Sequence, residues 1–232
     1  MRQMIGILGG MGPEATLDLY RHIINLTPAS RDQDHLRVLI YSNPKIPDRT
    51  QAIADGGESP LAALCESARL LESAGASVIA IPCNASHHYL GQIRAAVEIP
   101  VLDMVAETCK ALRRRYPEVK TAGLLATDGT VRSKIYHRVL EAEGIGICLP
   151  DESDQVFIQS AIAEIKAGKH TEKTREKLFA VGTQLIQAGA RAIILGCTEI
   201  PLVFDSHAFP HYSLNSTLIL AEAAINFVNT DL

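Results

Sequence analysis

Cys83 and Cys197 are the residues of this chain best placed to do chemistry. Cys83 closes the run Gly75-Ala-Ser-Val-Ile-Ala-Ile-Pro-Cys, and Cys197 closes Gly189-Ala-Arg-Ala-Ile-Ile-Leu-Gly-Cys. Each comes eight residues after its glycine, and the two lie 114 residues apart, about half of a 232-residue chain. Each ends an apolar, β-branched run and precedes a polar residue suited to capping, Asn84 or Thr198. A thiol at a strand-to-helix turn is drawn from its reference pKa of ~8.5 towards neutrality, where it can exchange protons. Two equivalent thiols facing each other across an internal two-fold can attack one carbon from opposite faces. Cys65, Cys109 and Cys148 lack this context and read as small core residues.

Other candidates flank these turns. Gly9-Gly10-Met11-Gly12-Pro13-Glu14 is a glycine turn opening a helix, whose free N–H groups suit a carboxylate or phosphate. Gly6, Gly9 and Gly12 are three apart, and strand two ends Ile40-Tyr-Ser-Asn43 without an acid, so a dinucleotide site is not expected. Arg49, in the proline-pinned loop 43–50, is a natural bidentate partner for a carboxylate. Thr127, Thr130 and Ser133 have hydroxyls that can hold a carboxylate or ammonium, or cap the next helix. His87 and His88 follow Cys83 by one turn and can assist the thiol or serve as caps; Glu199 can orient Cys197, accept its proton or face a helix dipole. Lys166 closes a helix before Gly168, where a cation also suits the dipole.

Composition narrows the setting. With 47% apolar residues the chain can bury a substantial core, and a net charge of -4 argues against nucleic-acid or anionic-membrane partners. No apolar stretch approaches the ~20 residues of a membrane span, and the N-terminus does not resemble a secretory signal, so a cytoplasmic protein is expected. Five cysteines without close spacing fit reduced thiols rather than disulfides. Without C-x-x-C or H-E-x-x-H, no metal site is expected.

The elements that must position these residues alternate strand and helix. Runs 4–8, 38–41, 78–81 and 101–102 read as buried parallel strands, with helices over 14–26, 59–74 and 86–96. The second half repeats this with strands 122–125, 145–148, 192–195 and 212–214, helices 131–143, 154–167 and 172–188, and a closing helix 216–228. Residues 5–12 match 122–129 at an offset of 117, Tyr20 matches Tyr136 at 116, and 99–103 resembles 209–215 with an insertion. We therefore expect an α/β fold of two pseudo-symmetric domains, each a parallel-sheet α/β sandwich: 1–103 with 213–232, and 104–212. Ligands of parallel sheets bind beyond the strand carboxyl ends, which places the active site in the interdomain cleft with both cysteines.

Five segments in order, Gly9-Gly-Met-Gly-Pro-Glu-Ala-Thr16, Ile46-Pro-Asp-Arg-Thr50, Ile81-Pro-Cys-Asn84, Leu124-Leu-Ala-Thr-Asp-Gly-Thr130 and Leu195-Gly-Cys-Thr-Glu-Ile-Pro201, give the whole chain a resemblance to the aspartate/glutamate racemase family, in its cofactor-independent aspartate racemase branch. The resemblance implies two pseudo-symmetric domains, a homodimer and racemisation of a small amino acid without pyridoxal phosphate or metal. It implies that Cys197 acts on the L-enantiomer and Cys83 on the D-enantiomer. Arg49 and Lys166 would bind the side-chain carboxylate, and Gly12, Asn84, Thr127, Thr130 and Thr198 the α-carboxylate and ammonium, with Met11, Ala85 and Glu199 beside them. Ala85 and Ser86 stand where Thr-Ala is common in the family, and Asn215 where an acid is frequent. Aspartate or glutamate is the expected substrate. The alternatives are a broad-specificity amino-acid racemase, a hydantoin racemase, a maleate isomerase or a decarboxylase; an inactive binding protein or thiol sensor is a further class. A paired cysteine favours two-base racemisation over the one-cysteine chemistries.

Overall fold

The computed structural model describes residues 3–206, 208–209 and 211–230. Residues 1, 2, 231 and 232, placed by the sequence in the first domain, and residues 207 and 210, placed in the second, the latter within the 209–215 repeat, lie outside the described residues. The first half runs β1 (Met4–Gly9), α1 (Pro13–Leu26), β2 (Arg37–Ser42), α2 (Arg49–Ala54), α3 (Leu61–Ser73), β3 (Val78–Ala80), a 3₁₀ turn Ala85–Tyr89 and α4 (Leu90–Arg94). After α5 (Met104–Arg115), the second half runs β4 (Thr121–Leu125), α6 (Asp128–Arg132), α7 (Ile135–Ala142), β5 (Gly146–Cys148), α8 (Glu152–Lys166), α9 (Glu172–Gln187), β6 (Ala192–Leu195), a 3₁₀ turn Ile200–Leu202, β7 (Tyr212–Asn215) and α10 (Ser216–Thr230).

All strands pair in parallel. The sheets have the orders β2-β1-β3 and β5-β4-β6-β7, and a single bridge from Ile79 to Val101 gives the first sheet the counterpart of β7. The two halves therefore share one winding, as the repeats predict. Gly6 in β1 and Gly123 in β4 are equivalent, and both are needed for close packing. A Cβ on Gly6 would lie 2.9 Å from that of Ala76, and one on Gly123 would lie 2.7 Å from Ile193 Cδ1.

The helices that cover these sheets form for local reasons. In α5, Met104, Val105, Thr108, Cys109, Ala111 and Leu112 are buried along one stripe, while Arg113–Arg115 crowd its C-terminal turn. Asp103 caps this helix by accepting from the N–H of Ala106, a contact worth about 1 kcal/mol. Val105, Cys109 and Leu112 pack with Leu124 and Ile194 on the second sheet. Helix α10 packs Leu220, Ala221 and Ala224 with Ile5, Ile7 and Val78 on the first sheet, beside α1.

Some expectations need correction. The helix α5 falls where the sequence reading places none. Residues 101–102 form a bridge rather than a strand, because Pro100 lacks an N–H and Asp103 at once caps α5. The helix expected over 86–96 divides into a 3₁₀ turn and α4, and that over 131–143 breaks at Lys134, whose φ of 54° is left-handed. The loop 43–50 ends in a helix, since the Asp48 side chain accepts from the N–H of Gln51 and starts α2 at Arg49.

Candidate active site

Cys83 and Cys197 line one cavity at the carboxyl ends of the sheets, with Met11, Arg49, Thr50, Asn84, Ala85, Thr127, Thr130, Lys166, Gly196, Thr198 and Glu199. The cavity measures only about 20 Å³. That is room for about one water. Two lining residues, Thr50 and Gly196, stand in motifs the sequence reading quotes but are not among the site residues it names. Both adjoin residues it names, Arg49 and Cys197, and that adjacency was the available signal.

The two thiols sit in different surroundings. The Cys197 S–H donates to Glu199 Oε2 at 3.0 Å. Glu199 is 2% exposed, and its other oxygen accepts from the N–H of Gly12 at 3.0 Å. The Thr198 hydroxyl lies 3.3 Å from Glu199 Oε2 and from the Pro82 carbonyl, so it reaches across to the other cysteine turn. Burial, reinforced by the Glu199 charge, pushes the Cys197 thiol well above its ordinary value. This corrects the expected lowering: the turn after Cys197 is three residues of 3₁₀ helix, too short for a dipole to outweigh burial beside a carboxylate.

Cys83 is buried, and its turn is tied by the ring of His87. The backbone N–H of Met104 donates to His87 Nε2 at 3.1 Å. A backbone N–H can only donate, so Nε2 is unprotonated and the proton sits on Nδ1, which donates to the Cys83 carbonyl at 2.9 Å. Burial holds the His87 pKa below its ordinary value, opposed by Asp103 and by the carbonyls of Cys83 and Leu102, and aided by Arg94. His87 thus braces the Cys83 turn and donates nothing to the thiol. His88 is also held low, by burial and by Arg138.

The remaining predicted residues divide by how far the protein already uses them. Thr127 caps α6, accepting from the N–H of Thr130, and the two hydroxyls lie 3.1 Å apart. The Gly10 N–H donates to Thr16 Oγ1, and the Gly12 N–H is taken by Glu199, so the glycine turn is satisfied within the protein. Ser86 donates to Met11 Sδ. Arg49 is 8% exposed; one terminal nitrogen donates to the carbonyls of Ile46 and Pro47, while Nε is buried without a partner. An unpaired buried guanidinium N–H is costly. Lys166 is exposed at the end of α8 yet lines the cavity. Burial pulls its pKa down, but Glu199, Cys197 and Cys83 outweigh this and hold it above its ordinary value.

Cys65 and Cys109 are core residues, the latter pushed up to about 12 by burial, and Cys148 is half-buried on β5. Among the described residues no group of His, Cys, Asp and Glu is arranged to hold a metal, and no helix is long and apolar enough to cross a membrane.

Comparison with known proteins adds to this geometry. A family model described as Asp/Glu/Hydantoin racemase matches residues 8–224. The chain is 33% identical over 227 residues to the broad specificity amino-acid racemase RacX of Bacillus subtilis, spanning 96% of this chain and 97% of that protein. A glutamate racemase of Shewanella woodyi is 28% identical over 203 residues, 84% of this chain and 68% of that protein. An aspartate racemase structure from Picrophilus torridus matches with a TM-score of 0.88 and 31% identity, over 98% of this chain and 94% of that one. A glutamate racemase from Francisella tularensis, solved with D-glutamate, shares the fold at a TM-score of 0.71 and 17% identity, over 100% of this chain and 83% of that one.

Proposed function

The chain belongs to the Asp/Glu/hydantoin racemase family, and from that premise we propose that it racemises an acidic amino acid, aspartate or glutamate, by cofactor-independent two-base proton transfer. The observation that carries this reading is two buried thiols lining one cavity with an unpaired Arg49 N–H and the Lys166 ammonium. One thiolate removes the Cα proton; the electron pair stays on carbon as a carbanion, and the other thiol returns a proton to the opposite face. By family resemblance Cys197 serves the L-enantiomer and Cys83 the D-enantiomer. Glu199 Oε2, already accepting from the Cys197 S–H, is the natural acceptor of its proton when the thiolate forms.

Charge favours a dicarboxylic substrate. Arg49 and Lys166 carry two formal positive charges and Glu199 one negative, leaving an excess of one positive charge in the cavity lining. An acidic amino acid, with a net charge of about -1 at neutral pH, cancels that excess, whereas a neutral zwitterion leaves it uncompensated. Arg49 would take the side-chain carboxylate through Nε, and Thr127, Thr130, Thr198 and the remaining Asn84 amide hydrogen would hold the α-carboxylate and ammonium. A homodimer is proposed on the resemblance, and a cytoplasmic setting on the sequence reading given above. The two-domain division is supported by the separate packing of α5 and α10 on opposite sheets, but its second boundary moves from 213 to 216, because β7 (Tyr212–Asn215) pairs with β6 in the second sheet. A broad-specificity reading is favoured by the likeness to RacX and by the apolar Met11 in the lining.

The test is incubation of single amino acids in D₂O, followed by proton NMR and chiral analysis. Loss of the α-proton signal with racemisation is expected for aspartate or glutamate. No exchange with any acidic or neutral amino acid would refute the proposal.

A further inference from the structure

A buried chain of hydrogen bonds runs between the two thiol turns, touching the cavity only at Asn84. The Tyr136 hydroxyl donates to Asn84 Oδ1 at 2.7 Å. The Asn84 amide nitrogen donates to Ser216 Oγ at 3.2 Å. The Ser216 hydroxyl donates in turn to the Leu195 carbonyl at 2.9 Å. Every donor in the sequence is committed in one direction, so the chain has a single head-to-tail polarity. Asn84 adjoins Cys83; Leu195 ends β6, two residues before Cys197. Tyr136 sits on α7, and Ser216 opens α10. The two side chains are wholly buried, and neither lines the cavity.

Resting on the racemase reading above, we infer that Tyr136 and Ser216 are positioning residues that fix the separation of Cys83 and Cys197. A two-base reaction holds Cα between two thiols at once, and a misplacement of about 1 Å can cost on the order of a hundredfold in rate. The chain supplies the stiffness this requires. Apart from the Thr198 hydroxyl on the Pro82 carbonyl, it is the hydrogen-bonded route described here that joins the two cysteine turns. Burial holds the Tyr136 hydroxyl far above the ordinary phenol range, so it remains a donor at every working pH. The internal repeat argues against a simple core position: Tyr20, the counterpart of Tyr136, is 36% exposed. A buried tyrosine hydroxyl occurs here only in the copy where it reaches the Asn84 amide.

The experiment is a double-mutant cycle with Tyr136→Phe and Ser216→Ala, measured as kcat and KM for racemisation of the preferred acidic amino acid. Each single change is expected to lower kcat by about tenfold or more, with KM within about twofold. The double variant should fall no further than the worse single, because either change cuts the same chain. A second reaction separates positioning from general damage. Chloride release from 3-chloroaspartate of either Cα configuration requires one thiolate only: it takes the Cα proton, the C–Cl bond breaks, chloride leaves and an enamine forms. This reaction should stay within about twofold of the parent in both variants. Parental kcat in both single variants, losses that multiply in the double, or an equal fall in both reactions would overturn the inference. If the parent protein racemises no acidic amino acid, it is the functional reading that fails.

Discussion

His87→Asn offers a measurement in which pH reports one ring. The asparagine amide can still donate to the Cys83 carbonyl, but it cannot reach the Met104 N–H that His87 Nε2 accepts at 3.1 Å. One buried N–H is left without a partner, which costs about 1–3 kcal/mol at neutral pH. Acidification acts on the parent alone. The folded-state pKa of His87 is lowered by burial, so below the unfolded value the unfolded chain takes a proton that the folded ring refuses. The parent's stability is full above that value and is lost as pH falls from about 6.5 towards the folded pKa, at about 1.4 kcal/mol per pH unit. The variant lacks this loss. His88 and His137, also held low, are common to both proteins and cancel in the difference. Urea unfolding from pH 7.5 to 5.0 should show the variant less stable at the upper end and the gap closing within one to two units below pH 6.5. A gap that stays constant with pH would show that His87 is not the neutral brace the geometry implies.

Three further outcomes can be measured. Cys83→Ser and Cys197→Ser should each slow racemisation by on the order of 10²-fold or more; near-parental two-way turnover in either would refute the paired-thiol mechanism. Arg49→Lys, which keeps the charge but loses Nε, should raise KM for the acidic substrate by about tenfold or more while neutral amino acids change little; initial-rate kinetics on both classes decide it. Glu199→Gln removes the charge that, after burial, raises the Cys197 thiol. Alkylation of Cys197 by iodoacetamide should therefore begin at lower pH in the variant, and an unmoved profile would show that the carboxylate does not govern the thiol.

Much of this was legible in the sequence because duplication writes its own checks. The cysteine runs, the paired first strands and their offsets identified the shared winding and the residues that meet at the cavity. What escaped depends on backbone groups or on distant partners. No side-chain pattern shows that the His87 ring takes the N–H of Met104, seventeen residues on. Tyr136 was visible only as the mate of Tyr20, and nothing local distinguishes the buried copy from the exposed one. Helix α5 was hidden because its stripe lies between a chain crossing and a basic run. The expected acidity of Cys197 failed because turn position alone does not reveal a carboxylate folded back onto the sulfur.

The bonds from His87 to Met104 and from Asn84 to Ser216 have a mechanical consequence. The chain leaves the first sheet at Asp103–Met104 and returns to it at Asn215–Ser216, and the turn bearing Cys83 grips both crossings. The turn bearing Cys197 meets that frame differently, through the Thr198 hydroxyl on the Pro82 carbonyl and the Ser216 hydroxyl on the Leu195 carbonyl. The thiols are twins by ancestry but not by setting: one sits on the turn that grips both crossings, the other lies against a buried carboxylate.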